Sequence, residues 1–282
     1  RDQLRQERAP VLPLSKDLIP RFLANLPFPL TPAQQHAVAT IQSDLQKEAA
    51  MLRLVQGDVG CGKTVVAAHA ALQAIEAGYQ VALMAPTELL AEQHHTTFSQ
   101  WLAPLCVPVL LLTGKLKKAE RTESLDRLNR AESLIIIGTH ALFQEEVTFA
   151  RLGLVIIDEQ HRFGVHQRLA LLEKGFAPGQ YPHQLIMTAT PIPRTLAMTV
   201  YADLDNTVID ELPPNRQPVN TSVISMQRRD EVINRIAEAC AEGRQVYWVC
   251  TLIEESETLQ CQAAIDTCDY LQNNLSPLRI DL

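Results

Sequence analysis

Short apolar segments alternate with amphipathic or alanine-rich stretches through most of this chain, and no other feature of the sequence restricts the fold as strongly. The segments are too short for helices, and several are continuously apolar, as parallel strands are when both sheet faces are covered. The predicted strands lie at residues 51–56, 81–85, 107–112, 134–138, 154–158 and 185–189. The predicted helices between them include 33–47, 63–77, 88–101 and 116–129. The pattern predicts an α/β domain with a doubly wound parallel sheet.

Closely spaced prolines mark a predicted linker over residues 211–220, because such stretches favour extended connections. The elements predicted beyond it are strands at 221–225 and 245–250 and helices at 228–241 and 254–271. Residues 221–282 are fewer than the roughly 100 of a complete domain of this type. The expected divisions are a leader from an upstream domain (1–30), a first domain (31–210), the linker (211–220) and the truncated start of a second domain (221–282).

Composition and charge exclude several classes of protein. Hydrophobic residues make up 46% and charged residues 20% of the chain, which excludes wholesale disorder, collagen and coiled coil. No apolar run approaches the roughly 20 residues of a membrane span, and the N-terminus has no apolar signal core. Six cysteines without a C-x-x-C pair predict reduced thiols in a cytoplasmic protein and argue against structural zinc. The net charge of −7 argues weakly against a dedicated nucleic-acid binder with a large basic face.

A glycine-rich loop over residues 57–64 matches the pattern G-x-x-x-x-G-K-[ST]. It lies between a predicted strand and an alanine-rich predicted helix, which is the context that a phosphate-binding loop requires. Its glycines let successive backbone N–H groups turn toward phosphate oxygens at the positive end of the helix. The predicted ATP-binding residues of the loop are Gly57, Asp58, Val59, Gly60, Cys61, Gly62, Lys63 and Thr64. Lys63 would neutralise charge on the β- and γ-phosphates, and the Thr64 hydroxyl would ligate Mg²⁺.

An acidic pair, Asp158 and Glu159, ends the apolar run at 154–157. The carboxyl end of such a strand lies at the sheet edge where the phosphate-binding loop also opens. There Asp158 would hold Mg²⁺ through its water shell, and Glu159 would act as general base on the attacking water. Such a pair taken alone is often a helix cap. Its combination with the upstream loop favours catalysis, with Lys63 and Glu159 as the catalytic residues.

Three motifs in this order resemble superfamily 2 helicases and translocases: the phosphate-binding loop, Asp-Glu-Gln-His at 158–161 and Thr-Ala-Thr at 188–190. Longer matches make the chain similar to the RecG family of bacterial DNA helicases. These matches lie at 56–60, 85–94, 138–141, 158–168, 188–194 and 247–256. The resemblance implies a RecA-like P-loop NTPase domain followed by the start of a second one. It also implies an ATP- and Mg²⁺-dependent monomeric motor that remodels branched DNA at stalled forks and Holliday junctions, in contact with single- or double-stranded DNA.

The resemblance also assigns residues outside these motifs. Phe28 and Gln34 would read the adenine, while Thr31 predicts a helix N-cap beside them. The residues implied in contacts to DNA phosphates are Pro86, Thr87, Gly138, Thr139 and His140. Plain N-capping by the two threonines is the alternative. The residues implied in coupling nucleotide state to the grip on DNA are His161, Gln167, Arg168, Thr188, Ala189 and Thr190.

Three further positions favour a structural interpretation. His94 and His95 are adjacent on a predicted helix and are interpreted as surface residues. Trp248 lies inside an apolar run and is interpreted as a core residue.

Other functions remain open at the level of sequence. One alternative is a nucleotide-binding lobe without its own turnover, because the G-R-x-G-R type motif that brings arginines to the γ-phosphate is not found in the sequence. For the same reason, residues 1–282 alone are expected to be nearly inactive in ATP hydrolysis. Translocase modules of the transcription-repair coupling factors share the stretch at 188–196, although Gln160 and the run at 164–168 favour the RecG family. Transporter ATPases and small-molecule kinases have little support, because neither an ABC-type signature nor a second substrate motif is found.

Overall fold

Parallel strands form the centre of the first of two compact units, Arg1–Arg216 and Gln217–Leu282. The computed structural model describes residues 8–159, 180–190, 204–211, 219–250 and 257–281. The strands within these residues are β1 (Leu52–Gly57), β2 (Gln80–Met84), β3 (Val109–Leu112), β4 (Ile135–Gly138), β5 (Leu152–Asp158), β6 (His183–Thr188) and β7 (Asp205–Ile209). They form one sheet in the order β3-β4-β2-β5-β6-β1-β7, and each neighbouring pair is parallel. The predicted α/β fold with a parallel sheet is confirmed.

Helices cover both faces of this sheet. The helices of the first unit within the described residues are α1 (Leu18–Asn25), α2 (Pro32–Leu45), α3 (Lys63–Glu76), α4 (Glu88–Leu102) and α5 (Lys118–Asn129), with short 3₁₀ turns at Ala103–Leu105 and His140–Phe143. Val55 and Leu83 pack into the cluster formed by α1 to α4, whereas their neighbours Leu54 and Met84 pack into the cluster that contains Leu128 of α5. This alternation is what a strand buried on both faces requires. None of the described helices is both long and apolar enough to span a membrane.

The edge strand β7 was not predicted from the sequence. Asp205 and Asn206 are exposed, and burial returns only at Thr207 and Ile209, so the segment lacks the continuous apolar run of the central strands. Its place beside β1 explains a glycine at the end of β1. A Cβ on Gly57 would lie 2.9 Å from the Ile209 carbonyl oxygen and 2.5 Å from Cys61 Sγ. Only glycine allows the two strands to approach this closely.

A buried arginine ties β1 to its surroundings. Arg53 is 7% exposed, and its guanidinium donates to Asp44 Oδ2 on α2 and to Thr207 Oγ1 on β7, both at 2.8 Å. Burial opposes ionisation of Asp44, but the bonds from Lys47 and Arg53 outweigh it and lower the pKa of this carboxyl. The pair is therefore charged and hydrogen-bonded, as a buried ion pair must be.

The described part of the expected leader packs onto the first unit. Leu12 is fully buried, and its N–H donates to the Leu45 carbonyl at 2.8 Å. Ile19 and Phe22 of α1 belong to the same core cluster as α2 and α3. Residues 8–30 thus contribute to the core of the first unit.

The second unit contains helices α6 (Arg229–Ala241) and α7 (Glu257–Asn274) and a 3₁₀ turn at Met226–Arg228. Both helices match the prediction, but the predicted strands at 221–225 and 245–250 are wrong, since neither segment pairs as a strand. A parallel strand needs neighbours for its N–H and C=O groups, and the described residues of this unit offer none. Trp248 is half-buried and packs against the cluster of Ile233, Leu271 and Leu275, so it lies at the edge of this small core.

Candidate nucleotide and nucleic-acid site

The phosphate-binding loop connects the end of β1 to the start of α3. Gly60 and Gly62 have φ angles of +79° and +89°, a left-handed conformation that glycine adopts without strain. Gly62 is the N-cap of α3, so the loop leads directly into the helix N-terminus. The structure thus has the strand, loop and helix that the sequence motif requires.

The Lys63 side chain folds back onto the start of the phosphate-binding loop. Its Nζ donates to the carbonyl oxygens of Gly57 at 2.7 Å and Asp58 at 3.0 Å. Thr64 follows in the first turn of α3 and is half-buried. This ammonium group lies near the positive end of a helix, which favours anions. Phosphate oxygens would form stronger charge-assisted hydrogen bonds with it than the neutral carbonyl oxygens do.

Gln34, a buried residue of α2, is hydrogen-bonded to the phosphate-binding loop. Its side chain is 2% exposed, Nε2 donates to the Cys61 carbonyl at 2.8 Å, and Oε1 accepts from the Thr31 N–H at 2.9 Å. Thr31 in turn caps α2 as a capping box. The expected N-cap is present, and the amide predicted to read adenine is engaged within the protein. Phe28 is exposed, and its ring packs edge to face on Trp101 at 6.4 Å.

The acidic pair lies where β5 ends. Asp158 is 9% exposed, and its Oδ2 lies 2.7 Å from Nε2 of His94 on α4. His94 is itself only 9% exposed, so its interpretation as a surface residue is wrong. The buried positions of α4 are Ala91, His94, Phe98 and Leu102. Their helical spacing was the signal that could have placed His94 on the inner face.

Glu159 joins the acidic pair to the Thr-Ala-Thr segment. Its carboxylate accepts from Thr188 Oγ1 at 3.2 Å and from the Ala189 N–H at 2.9 Å. The Thr190 N–H donates to Thr188 Oγ1 at 3.1 Å, which fixes the turn after β6. Three residues expected in coupling, His161, Gln167 and Arg168, lie outside the described residues, as does Gln160.

The two loops assigned to DNA phosphates are neighbours. Pro86 and Thr87 follow β2, Gly138 ends β4 and Thr139 follows it, and these two strands pair directly. Thr87 is exposed and caps α4, its hydroxyl accepting from the Leu90 N–H at 3.3 Å. Thr139 is 2% exposed, and its hydroxyl has no hydrogen-bond partner in the described part of the chain. His140, next to it, is exposed. The structure therefore presents Thr87 and His140 to solvent and buries the Thr139 hydroxyl.

An ion pair lies beside these loops. Lys115 Nζ is 2.8 Å from the carboxylate of Glu88, the first residue of α4. The bond to Lys115 lowers the pKa of Glu88 and raises that of Lys115. Both side chains are accessible to solvent, so salt screens the pair and its contribution to stability is small.

Comparison with known proteins places the chain in a family. The model for the DEAD/DEAH box helicases matches residues 31–199, which hold the phosphate-binding loop, the acidic pair and the Thr-Ala-Thr segment. The chain belongs to the DEAD/DEAH box helicase family. The sheet edge described above is thus the motif-bearing edge of a RecA-like helicase domain.

Individual relatives of this helicase chain are RecG proteins. It is 60% identical to the ATP-dependent DNA helicase RecG of Haemophilus influenzae over 94% of this chain, and 60% identical to that of Escherichia coli over 93%. Each match covers 38% of the relative, so the chain spans less than half the length of these proteins. A solved structure of RecG bound to a three-way DNA junction superposes with a TM-score of 0.78, at 38% identity, over 94% of this chain and 34% of that one. The resemblance to the RecG family is confirmed.

The helicase motifs provide oxygen donors suited to Mg²⁺. The carboxylate of Asp158 and the hydroxyl of Thr64 are such donors, and Mg²⁺ prefers one or two protein oxygens together with substrate phosphates and water. Asp158 ends β5, and Thr64 follows the loop that leaves β1. Both strands pair with β6, so the ends of β5 and β1 lie roughly 10 Å apart at one sheet edge. Within the described residues, no group of three His, Cys, Asp or Glu side chains could hold a metal alone. The residues fit an ion that is shared with nucleotide phosphates.

Proposed function

We propose that this protein is the ATP-driven core of a DNA helicase that remodels branched DNA, such as stalled forks and Holliday junctions. The observation that carries the proposal is the pair of hydrogen bonds that Glu159 accepts from Thr188 and Ala189, because they join two helicase motifs at the sheet edge where the phosphate-binding loop opens. The similarity to a RecG whose structure was solved with a three-way DNA junction supports branched DNA as the substrate. ATP and Mg²⁺ are the nucleotide and metal of the proposal.

Binding of ATP would reorganise the loop around Lys63. The ammonium group would leave the carbonyls of Gly57 and Asp58 for β- and γ-phosphate oxygens, which the N–H groups at the start of α3 also bind. Thr64 and Asp158 would hold Mg²⁺, which when bound withdraws charge from the phosphates. Gln34 and Phe28 are proposed on the adenine side, where Gln34 would need to exchange its present partners.

Glu159 is proposed as the proton acceptor for the attacking water. Both of its carboxylate oxygens accept hydrogen bonds from the Thr188–Ala189 segment in this structure. Its φ of +51° is a left-handed conformation that costs a non-glycine residue about 1 kcal/mol or more. A conformational change at Thr188, Ala189 or Thr190 would therefore break or keep the hydrogen bonds to the general base. This is the proposed coupling between nucleotide state and the grip on DNA. His161, Gln167 and Arg168 belong to the same proposal on sequence alone.

DNA would bind along the loops after β2 and β4. The N-terminal amides of α4 together with Thr87 and His140 can contact phosphates without reading bases. Pro86, Gly138 and Thr139 would shape the loops, since a Cβ on Gly138 would clash with the Leu112 carbonyl oxygen. Contacts of this kind predict affinity that falls steeply with salt.

Hydrolysis of ATP with forked DNA, with linear duplex and without DNA tests the proposal. In a longer protein that carries this core together with the G-R-x-G-R type motif, forked DNA is expected to stimulate hydrolysis more than duplex does. Residues 1–282 alone are expected to show little stimulated hydrolysis, because arginines on the γ-phosphate contribute about 10³ to 10⁵ in rate. The substitution Glu159→Gln is expected to lower the stimulated rate at least about 100-fold and to retain ATP affinity, because only the proton acceptor is lost. Glu48→Gln, at an exposed residue in the turn after α2, is the matched control.

The outcomes separate the two candidate functions. ATP binding without turnover by the longer protein in the presence of forked DNA would identify a nucleotide-binding lobe that does not hydrolyse ATP. Undiminished turnover in the Glu159→Gln variant would remove Glu159 as the base. Failure of the unsubstituted chain to bind ATP would contradict both functions.

A further inference from the structure

His94 occupies a position where an apolar residue would ordinarily pack. It lies between Ala91 and Phe98 on the buried stripe of α4, and a leucine would fill such a site without leaving a polar atom to satisfy. Its Nε2 lies 2.7 Å from Asp158 Oδ2, and both residues are 9% exposed. Since a carboxylate only accepts, Nε2 must carry the proton of this bond. His94 therefore donates a hydrogen bond to one carboxylate oxygen of Asp158.

We propose that His94 is a positioning residue for Asp158. By holding Oδ2, the ring fixes the rotation of the carboxylate and leaves Oδ1 for the water shell of Mg²⁺. The inference rests on the proposed nucleotide site and adds a residue that lies on α4, outside both the phosphate-binding loop and the acidic pair. Partners that orient a carboxylate in this way commonly govern metal affinity, because a freely rotating ligand loses entropy when the metal binds.

The low exposure of the pair strengthens this role. In a site largely closed to solvent, water cannot easily replace the donor if the histidine is lost, so the carboxylate would turn toward another partner. Thr87, which caps α4, lies two turns of helix before His94. The donor to Asp158 is therefore carried by the helix that starts at the proposed DNA loop.

The test compares nucleotide affinity with and without metal. The affinity of the purified chain for the non-hydrolysable analogue AMP-PNP is measured by calorimetry in Mg²⁺ and again in EDTA, and the ratio gives the enhancement due to metal. His94→Leu is expected to reduce this enhancement about tenfold or more and to leave the affinity in EDTA within about twofold. His94→Gln is expected to restore it, because the Gln amide nitrogen can reach the place of Nε2.

Two further variants keep the test decisive. His94→Asn stays polar but is too short to reach Asp158, so it should behave as His94→Leu does even if the leucine variant folds poorly. His95→Gln is the matched control, because His95 is half-buried and its ring nitrogen lies 3.5 Å from Ser99 Oγ, away from the acidic pair.

The proposal and the nucleotide site can fail separately. An unchanged enhancement in His94→Leu and His94→Asn overturns the positioning role, as does an equal loss in His94→Gln and His94→Leu. An unsubstituted chain that binds AMP-PNP equally well with and without Mg²⁺ overturns the metal site, and with it the role of His94. No binding of AMP-PNP in either condition contradicts the proposed function.

Discussion

At the scale of single residues, three buried histidines have different roles. His94 donates to a carboxylate, whereas His183 links two backbone groups: the Met51 N–H donates to its Nδ1 at 3.0 Å, and its Nε2 lies 2.8 Å from the Pro10 carbonyl oxygen. That arrangement requires a neutral ring, because a protonated Nδ1 cannot accept. Burial lowers the pKa of His183, against the opposing effect of Pro10, and lowers the pKa of His69 on α3 from 6.5 to about 4.

The buried histidines predict loss of stability in mild acid. The pKa of His69 is lower in the folded than in the unfolded chain, so the unfolded chain takes up the proton first as pH falls. The free energy of unfolding is therefore unaffected by His69 above pH 6.5, falls between pH 6.5 and about 4, and has then lost about 3 kcal/mol from His69. Urea unfolding across this range measures the slope. His69→Leu should reduce this pH dependence of stability, whereas His36→Leu, at an exposed histidine, should leave it unchanged. Equal slopes in the unsubstituted chain and both variants would show that His69 is not the cause.

At the scale of elements, the sequence was sufficient where the signal is local. The strand before the phosphate-binding loop, the loop and α3 follow one another in the chain, and so do β5 and its acidic pair, so apolar runs and motifs located them. The strand β7 was missed because an edge strand buries only alternate residues such as Thr207 and Ile209. His94 was misjudged because its partner lies 64 residues away on another element. In the segments 221–225 and 245–250, strand-like sequence finds no neighbouring strand in the described chain.

The contact between β1 and β7 predicts the effect of Gly57→Ala. The added Cβ would meet a backbone oxygen of Ile209 as well as Cys61 Sγ, and the backbone atom cannot turn aside. The variant is expected to lose about 1 to 3 kcal/mol of unfolding free energy and to bind ATP more weakly, because the loop starts at this residue. Gly114→Ala is the control, since its Cβ would meet only the end of the Glu88 side chain at 3.3 Å. Equal stability of both variants in urea unfolding would show that the close approach is not needed.

At the scale of the first unit, the strand order determines how the functional motifs are arranged along one edge of the sheet. The proposed DNA loops lie at the carboxyl ends of β4 and β2, the acidic pair at the end of β5, the Thr-Ala-Thr segment at the end of β6, and the phosphate-binding loop at the end of β1. In the sheet these strands are neighbours in that order. Asp158 and Glu159 therefore lie between the DNA side and the nucleotide side. Asp158 is bonded to α4, which starts at a DNA loop, and Glu159 to the segment next to the nucleotide. The fold thus connects the two proposed sites by direct contacts.

Calorimetry of Mg²⁺-ATP binding to the purified chain tests the central claim, that this edge of the sheet is a nucleotide site built around Lys63. The account predicts that the unsubstituted chain and Lys118→Ala, at an exposed lysine on α5, bind with the same affinity. It predicts that Lys63→Ala loses most or all of the binding, because the ammonium group that faces the loop carbonyls is the one expected to pair with phosphate. Equal affinity in Lys63→Ala and the unsubstituted chain would contradict it.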